Sequence, residues 1–201
     1  MRVGCSLWNV AGEYALDHAK RLTAAGVNLF HWDRTDGVFA AAGGFTAAEA
    51  SSISSQTGTR SEAHLMLTDP LAEVDQWCEF CELVAVPVEV DTCRAAIRRI
   101  EKRGCQAAVA ISPRTSLAAL ADYVSLAVLL MAITPGLAGS PPDPNVFARA
   151  AALRDHPLRG IDGSMTTELF PAAIQAGVGW ISVGTALVSA PDPAEWLHRA
   201  D

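Results

Sequence analysis

The sequence predicts an α/β chain folded as a single-domain (β/α)8 TIM barrel over residues 1–201, and three observations predict it. Short apolar runs alternate with helix-like stretches, the pattern of parallel strands joined by crossover helices. Several helical stretches close on a glycine just before the next apolar run, where a left-handed residue ends a helix. Eight such units fit a chain of 201 residues as one closed domain. An open doubly wound sheet is the competing arrangement. That fold carries a Gly-rich phosphate loop after its first strand, and LWNVAGEY is no such loop.

The elements read as follows. Residues 3–8 (VGCSLW) form the first strand. HAKRLTAAG is a polar, Ala-rich helix closed by Gly26, and 27–33 (VNLFHWD) is the second strand. The third and fourth strands are 60–66 (RSEAHLM) and 83–89 (LVAVPVE). AIRRIEKRG closes at Gly104 ahead of the fifth, 106–112 (QAAVAIS), and 126–134 (LAVLLMAIT) is the sixth. The seventh is 159–162 (RGID); LFPAAIQAG then closes at Gly177 before the eighth, 180–184 (WISVG). Most of these runs are apolar throughout, as strands buried on both faces require. The likeness of AAGVNLF to QAGVGWI points to a repeated unit.

Composition narrows the function classes. Half the residues are apolar and the net charge is −7, with no basic cluster, which argues against nucleic acid or an anionic membrane as partner. No apolar run approaches a membrane helix, and MRVGCSLWNVAG lacks the pattern of an export signal. A cytoplasmic protein with reduced thiols is expected; the CxxC at Cys78 and Cys81 has no second pair to complete a zinc site and reads as structural.

Barrel enzymes place their chemistry at the C-terminal ends of the strands. There the sequence offers Ser6 and Asn9, then His31 and Asp33, then His64, Asp162 with Gly163 and Ser164, and Gly184 with Thr185. His31 and Asp33 are two apart, so on a strand both face one side while Trp32 faces the helices. Two imidazoles and two carboxylates suit one divalent metal: Zn, Fe, Mn or Co. A histidine at a strand end also serves as hydrogen-bonded structure, and an aspartate before glycine as a turn or cap. The chain has two lysines, Lys20 and Lys102, both in helical stretches, which weighs against Schiff-base chemistry. Gly163-Ser164 and Gly184-Thr185 follow the last two strands, where barrels commonly bind phosphate; ordinary turn chemistry is the alternative. The Thr134–Pro142 stretch, TPGLAGSPP with Gly136 and Gly139, suits a lid, or a plain surface loop.

Taken in order, these segments resemble the ribulose-phosphate 3-epimerase family along nearly the whole chain. SLWN at Ser6 to Asn9, HWDRTDGVF at His31 to Phe39, HLM at His64 to Met66, MAITPGLAGS at Met131 to Ser140, IDGS at Ile161 to Ser164 and GTA at Gly184 to Ala186 follow the family's motifs. The resemblance implies metal ligands at His31, Asp33, His64 and Asp162, with Asp33 and Asp162 as the acid–base pair. It implies a small phosphorylated sugar as ligand, ribulose 5-phosphate or xylulose 5-phosphate, and leaves a homo-oligomer open. The chain also departs from the pattern: Pro87 stands for a histidine, Ser112 for an asparagine, Thr35 for a methionine and Ser164 for a glycine. Thr134 and Ser140 replace polar residues of the lid, and AAAGGFT replaces the family's Val-Pro-Asn.

The expected chemistry is inversion beside a carbonyl through an enediolate, one aspartate removing a proton as the other returns one. Met66 and Met131 are expected either to form an apolar floor under the intermediate or simply to pack. Two alternatives stay open: epimerisation of another ketose phosphate such as allulose 6-phosphate, and a non-catalytic phosphosugar-binding barrel.

Overall fold

The computed structural model of the chain describes residues 1–10, 12 and 14–200. Eight strands run in the order β1 (Arg2–Ser6), β2 (Leu29–Thr35), β3 (Arg60–Met66), β4 (Leu83–Pro87), β5 (Gln106–Ile111), β6 (Ala127–Met131), β7 (Arg159–Asp162) and β8 (Trp180–Val183). Every neighbouring pair is parallel, and β8 pairs with β1 to close the barrel in sequence order. The α-helices are α1 (Ala15–Ala24), α2 (Ala47–Thr57), α3 (Val74–Trp77), α4 (Cys93–Lys102), α5 (Val146–Ala152), α6 (Phe170–Gln175), α7 (Thr185–Val188) and α8 (Pro193–His198). Between β5 and β6 the helical slot holds a 3-10 turn, Leu117–Tyr123.

Local chemistry explains the helices. α1 buries Ala15, Ala19 and Leu22 along one stripe, and α4 buries Cys93, Ala96, Ile97 and Ile100. α2 opens with a capping box in which Thr46 and Glu49 each satisfy the other's backbone N–H. Gly26, Gly104 and Gly177 all have positive φ, as expected for residues that close a helix before a strand.

The strands end differently from the sequence pattern at several points. β2 begins at Leu29 and runs on to Thr35, and β6 stops at Met131 because the chain turns at Thr134, whose carbonyl accepts from Leu137 N–H. β4 stops at Pro87, which has no N–H to donate.

Apolar packing falls into three regions. The largest lies between strands and helices; Trp32 sits there, with its ring 5.0 Å from that of Phe45, facing the helices as expected. A second fills the lower barrel with Leu83, Ala85, Ala108, Ala110, Ala127, Leu129 and Trp180. Gly160 makes room for that tryptophan, since a Cβ there would fall 2.3 Å from its ring. The third, at the mouth, joins Ala40, Met66, Met131 and Ile133. All five cysteines are unbonded, and burial pushes the Cys5 thiol up to about 12. No helix among the described residues is long and apolar enough to cross a membrane.

Candidate active site

β2 and β3 share the longest pairing in the barrel, from Leu29 opposite Arg60 to Thr35 opposite Met66. Alternation along them turns His31 and Asp33 inward from β2, and His64 and Met66 inward from β3. Asp162 arrives from β7, in register with Met131 of β6 and Ser182 of β8.

His31, Asp33, His64 and Asp162 meet at the mouth, all buried, each offering a ligand atom within 4.8 Å of the others. His31 Nε2 lies 3.5 Å from Asp33 Oδ1 and 3.7 Å from Asp162 Oδ2. His64 Nδ1 lies 3.1 Å from Asp162 Oδ2 and 3.8 Å from Asp33 Oδ1. Ser6 donates its hydroxyl to the other oxygen of Asp33 at 2.7 Å.

The electrostatics favour positive charge at the centre of this cluster. Burial pushes the His31 pKa down, but the carboxylates of Asp33, Glu62 and Asp162 outweigh it and hold it well above the ordinary value. Burial likewise pushes Asp162 up, but the His64 hydrogen bond and the charges of both imidazoles outweigh it and hold Asp162 below the usual range. His31 Nε2 has no hydrogen-bond partner among the described residues, although it is fully buried. An orphaned ring nitrogen facing two carboxylates is what a cation would satisfy. The donor set therefore fits a divalent metal ion.

The cluster borders a cavity of about 470 Å³, lined by Ser6, Asn9, Asp33, Asp162, Met66 and Met131 among others. Gly136, Gly139, Gly163, Ser164, Gly184 and Thr185 also line it, so the structure brings the sequence-selected residues to one place, with His31 and His64 buried beside it. Asn9 donates its amide to the Thr185 hydroxyl, tying the 3-10 turn after β1 to the start of α7. Ser164 is the one non-glycine residue with positive φ among those described, at 53°, and its hydroxyl donates to the Ser140 carbonyl at 2.5 Å. The loop after β6 rests on the β2 loop at Gly136, where a Cβ would fall 2.9 Å from Ala41 N.

Other motif residues serve the scaffold. The Asp36 carboxylate accepts from Val38 N–H, Phe39 N–H and both donors of Thr68; burial opposes, but these bonds outweigh it and hold its pKa well below the usual range. Thr35 donates to the carbonyls of Ala41 and Gly43 and so folds the AAAGG segment back on its strand. Glu89 accepts from Ser112 N–H and the Thr115 hydroxyl, joining the loops after β4 and β5.

Sequence reasoning missed Glu62, fully buried below the cluster with its Oε1 2.8 Å from His31 Nδ1. The available signal was its place two residues before His64, hence on the same face. Trp8, Ile133 and Ser182 also line the cavity unforeseen.

Known proteins resemble this chain in sequence and in fold. The model of the Ribulose-phosphate 3 epimerase family matches residues 2–188. Ribulose-phosphate 3-epimerase of Methanocaldococcus jannaschii is 25% identical over 208 residues, covering 96% of this chain and 86% of that protein. The Treponema pallidum protein of the same name is 28% identical over 188 residues, covering 87% and 86%. Among solved structures, 3-hexulose-6-phosphate synthase from Salmonella typhimurium superposes with a TM-score of 0.75 at 17% identity, over 100% of this chain and 96% of that one. N-acetylmannosamine-6-phosphate 2-epimerase from Clostridium perfringens gives 0.67 at 15% identity, over 92% and 86%. At such identities the two structures speak for the fold alone, whereas the family model spans almost the whole chain and every strand of the barrel. The chain belongs to the Ribulose-phosphate 3 epimerase family and is an epimerase of the isomerase class.

Proposed function

We propose that this chain inverts the carbon beside the carbonyl of a ketose phosphate, interconverting ribulose 5-phosphate and xylulose 5-phosphate. One observation carries the reading: Asp33 and Asp162, from β2 and β7, both face the same cavity and share the same two imidazoles. Inversion needs a proton taken from one face of the carbon and one delivered to the other. Asp33 acts from the β2 side and Asp162 from the β7 side, one as base and the other as acid, exchanging roles with the direction of reaction. Ser6 holds the Asp33 carboxylate in place through its 2.7 Å hydrogen bond, and His64 does the same for Asp162 at 3.1 Å. Met66 and Met131 give the cavity a floor that keeps water from the carbanionic carbon.

His31, Asp33, His64 and Asp162 are the proposed ligands of one divalent ion, Zn, Fe, Mn or Co. When bound, the ion supplies Lewis-acid stabilisation of the negative charge that develops on the substrate oxygens. Gly163, Ser164, Gly184 and Thr185 are the proposed phosphate end, where small residues leave backbone N–H groups open to an anion. The Salmonella typhimurium and Clostridium perfringens proteins of the same fold are both named for sugar phosphates, which agrees with a small phosphosugar here. The proposed compartment is the cytoplasm, where five unpaired thiols stay reduced.

Ser140 and Ser164, both departures from the family pattern, line the cavity, and they motivate a second reading in which the sugar has six carbons, as in allulose 6-phosphate. The deciding experiment is turnover in D2O, following both epimerisation and deuterium uptake at the carbon beside the carbonyl. Five- and six-carbon ketose phosphates are compared side by side. Exchange with the pentulose phosphate is expected. Exchange only with the hexulose phosphate moves the assignment to the second reading, and none with either overturns both readings.

A further inference from the structure

The lower interior of the barrel is apolar except at one place. Glu62 of β3 is fully buried there, and four donors converge on its carboxylate. Oε1 accepts from Trp180 Nε1 at 2.7 Å and sits 2.8 Å from His31 Nδ1. Oε2 accepts from Arg2 Nε at 3.1 Å and from Arg2 Nη2 at 2.6 Å. Arg2 is held from outside by Glu82 at 2.6 Å, so a line of charge runs from the barrel's underside to the metal ligands. The backbone makes way for it: a Cβ on Gly4 would fall 2.3 Å from Glu62 Oε1.

This geometry decides which nitrogen of His31 is free. With the Arg2 fork on one oxygen and the Trp180 indole on the other, the carboxylate is an acceptor only. His31 must therefore donate from Nδ1, which turns Nε2 toward Asp33 and Asp162 at 3.5 and 3.7 Å. A buried carboxylate is costly to desolvate, and positions beside it on β4 and β5 are filled by Leu83, Ala85 and Ala108 instead. Packing alone does not call for an acid here.

We propose that Glu62, braced by Arg2, is a positioning residue for the metal centre: it fixes the His31 ring with its proton on Nδ1 and its Nε2 lone pair directed at the cation. The inference rests on the metal reading given above. A second-tier carboxylate of this kind raises the basicity of the imidazole and removes its freedom to rotate, so its effect is on metal affinity.

The test is Zn(II) affinity of the full chain, stripped with a chelator and titrated against a chromophoric competitor. Glu62→Gln keeps the shape and removes the charge; it is expected to bind Zn(II) about 10–100-fold more weakly than the parent. Trp180→Phe removes a donor from the same oxygen without touching the imidazole and is expected to weaken binding by less than Glu62→Gln. Equal affinity of Glu62→Gln and the parent overturns the proposal, and so does equal loss in the two variants, because the effect is then general loosening of the interior. Nitrogen-15 NMR of the Zn(II)-loaded parent gives a reading that depends on no variant: a proton on His31 Nδ1 is expected, and a proton on Nε2 overturns the proposal. If the parent itself binds no Zn(II), the metal reading falls, an outcome distinct from both of these.

Discussion

The two walls of this barrel are built to opposite rules. The wall made by β1 to β3 with β7 and β8 turns Ser6, His31, Asp33, Glu62, His64, Asp162 and Ser182 toward the axis or the mouth, all buried. The wall made by β4 to β6 turns Leu83, Ala85, Ala108, Ala110, Ala127 and Leu129 inward. Polar groups left alone in a barrel interior are costly, so they are gathered where each can satisfy another. The apolar wall then has one task, to fill volume. Mutations on the polar wall should change chemistry and leave folding nearly intact, while those on the apolar wall should do the reverse.

The largest expected effect is on the polar wall. Asp33→Asn and Asp162→Asn each keep side-chain volume and remove the proton-transfer group. Deuterium uptake from solvent should fall by about 10²–10⁴-fold in each. Near-normal exchange in either variant removes that residue from the acid–base pair and breaks the contrast at its strongest point. Next is Leu129→Ala on the apolar wall, where the side chain is fully buried in the lower barrel. The cavity left behind should destabilise the fold by about 2–5 kcal/mol. That corresponds to a melting temperature lower by roughly 2–4 °C per kcal/mol in a chain of this size. Turnover per folded molecule at low temperature should stay close to that of the parent; a loss of turnover as large as the aspartate variants show would mean that the two walls are not separable.

That contrast also marks what the sequence made legible. Alternation of apolar runs with Gly-closed helices was enough for eight parallel strands in a ring, because a strand buried on both faces leaves a local signature. His31 and Asp33 were legible as a pair because a two-residue spacing fixes a shared face. The apolar wall was legible as strands but not as an interior surface, since a run such as LVAV is apolar on both sides. Glu62 was opaque for another reason. In Arg60-Ser61-Glu62 it follows two polar residues at the strand's entrance, which mask the face it shares with His64, and its partners Arg2, His31 and Trp180 come from three other strands. Thr35 was read as a lost methionine, whereas its hydroxyl organises the loop that follows. Closure of a ring brings distant positions together, and no local pattern carries that information.

Ser6→Ala sharpens the comparison at a smaller scale. Its hydroxyl is the hydrogen bond that holds one oxygen of Asp33 while the other faces the imidazoles. Losing a bond to a charged group costs about 1.5–3 kcal/mol when the acceptor stays buried. Because Asp33 borders an open cavity, water can partly replace the hydroxyl, and a fall in kcat of about tenfold is expected, equal to roughly 1.4 kcal/mol. Fold stability should barely change. A drop in melting temperature with unchanged kcat would make Ser6 a packing residue instead.

The smallest expected effect is at the loop after β6, where the polar wall meets solvent. Ser164 occupies a left-handed conformation, φ 53°, that costs a residue with a Cβ about 1–2 kcal/mol. It is held there by a 2.5 Å hydrogen bond to the Ser140 carbonyl, which draws the loop after β6 toward β7. Ser164→Gly relieves the strain and deletes the bond, a bond worth about 0.5–1.5 kcal/mol net, so the two terms nearly cancel in stability. The signs separate in kinetics. If the loop after β6 closes over the substrate as a lid, it is less often closed without this bond, so KM for the proposed sugar phosphate should rise by a few-fold, roughly the worth of one bond, while melting temperature stays within about 2 °C. A clear gain in stability with unchanged KM would mean that the hydroxyl bond contributes nothing and that the strain is only tolerated. A rise in KM at constant stability identifies the Ser164 hydroxyl as a fastening that holds the loop after β6 against the cavity.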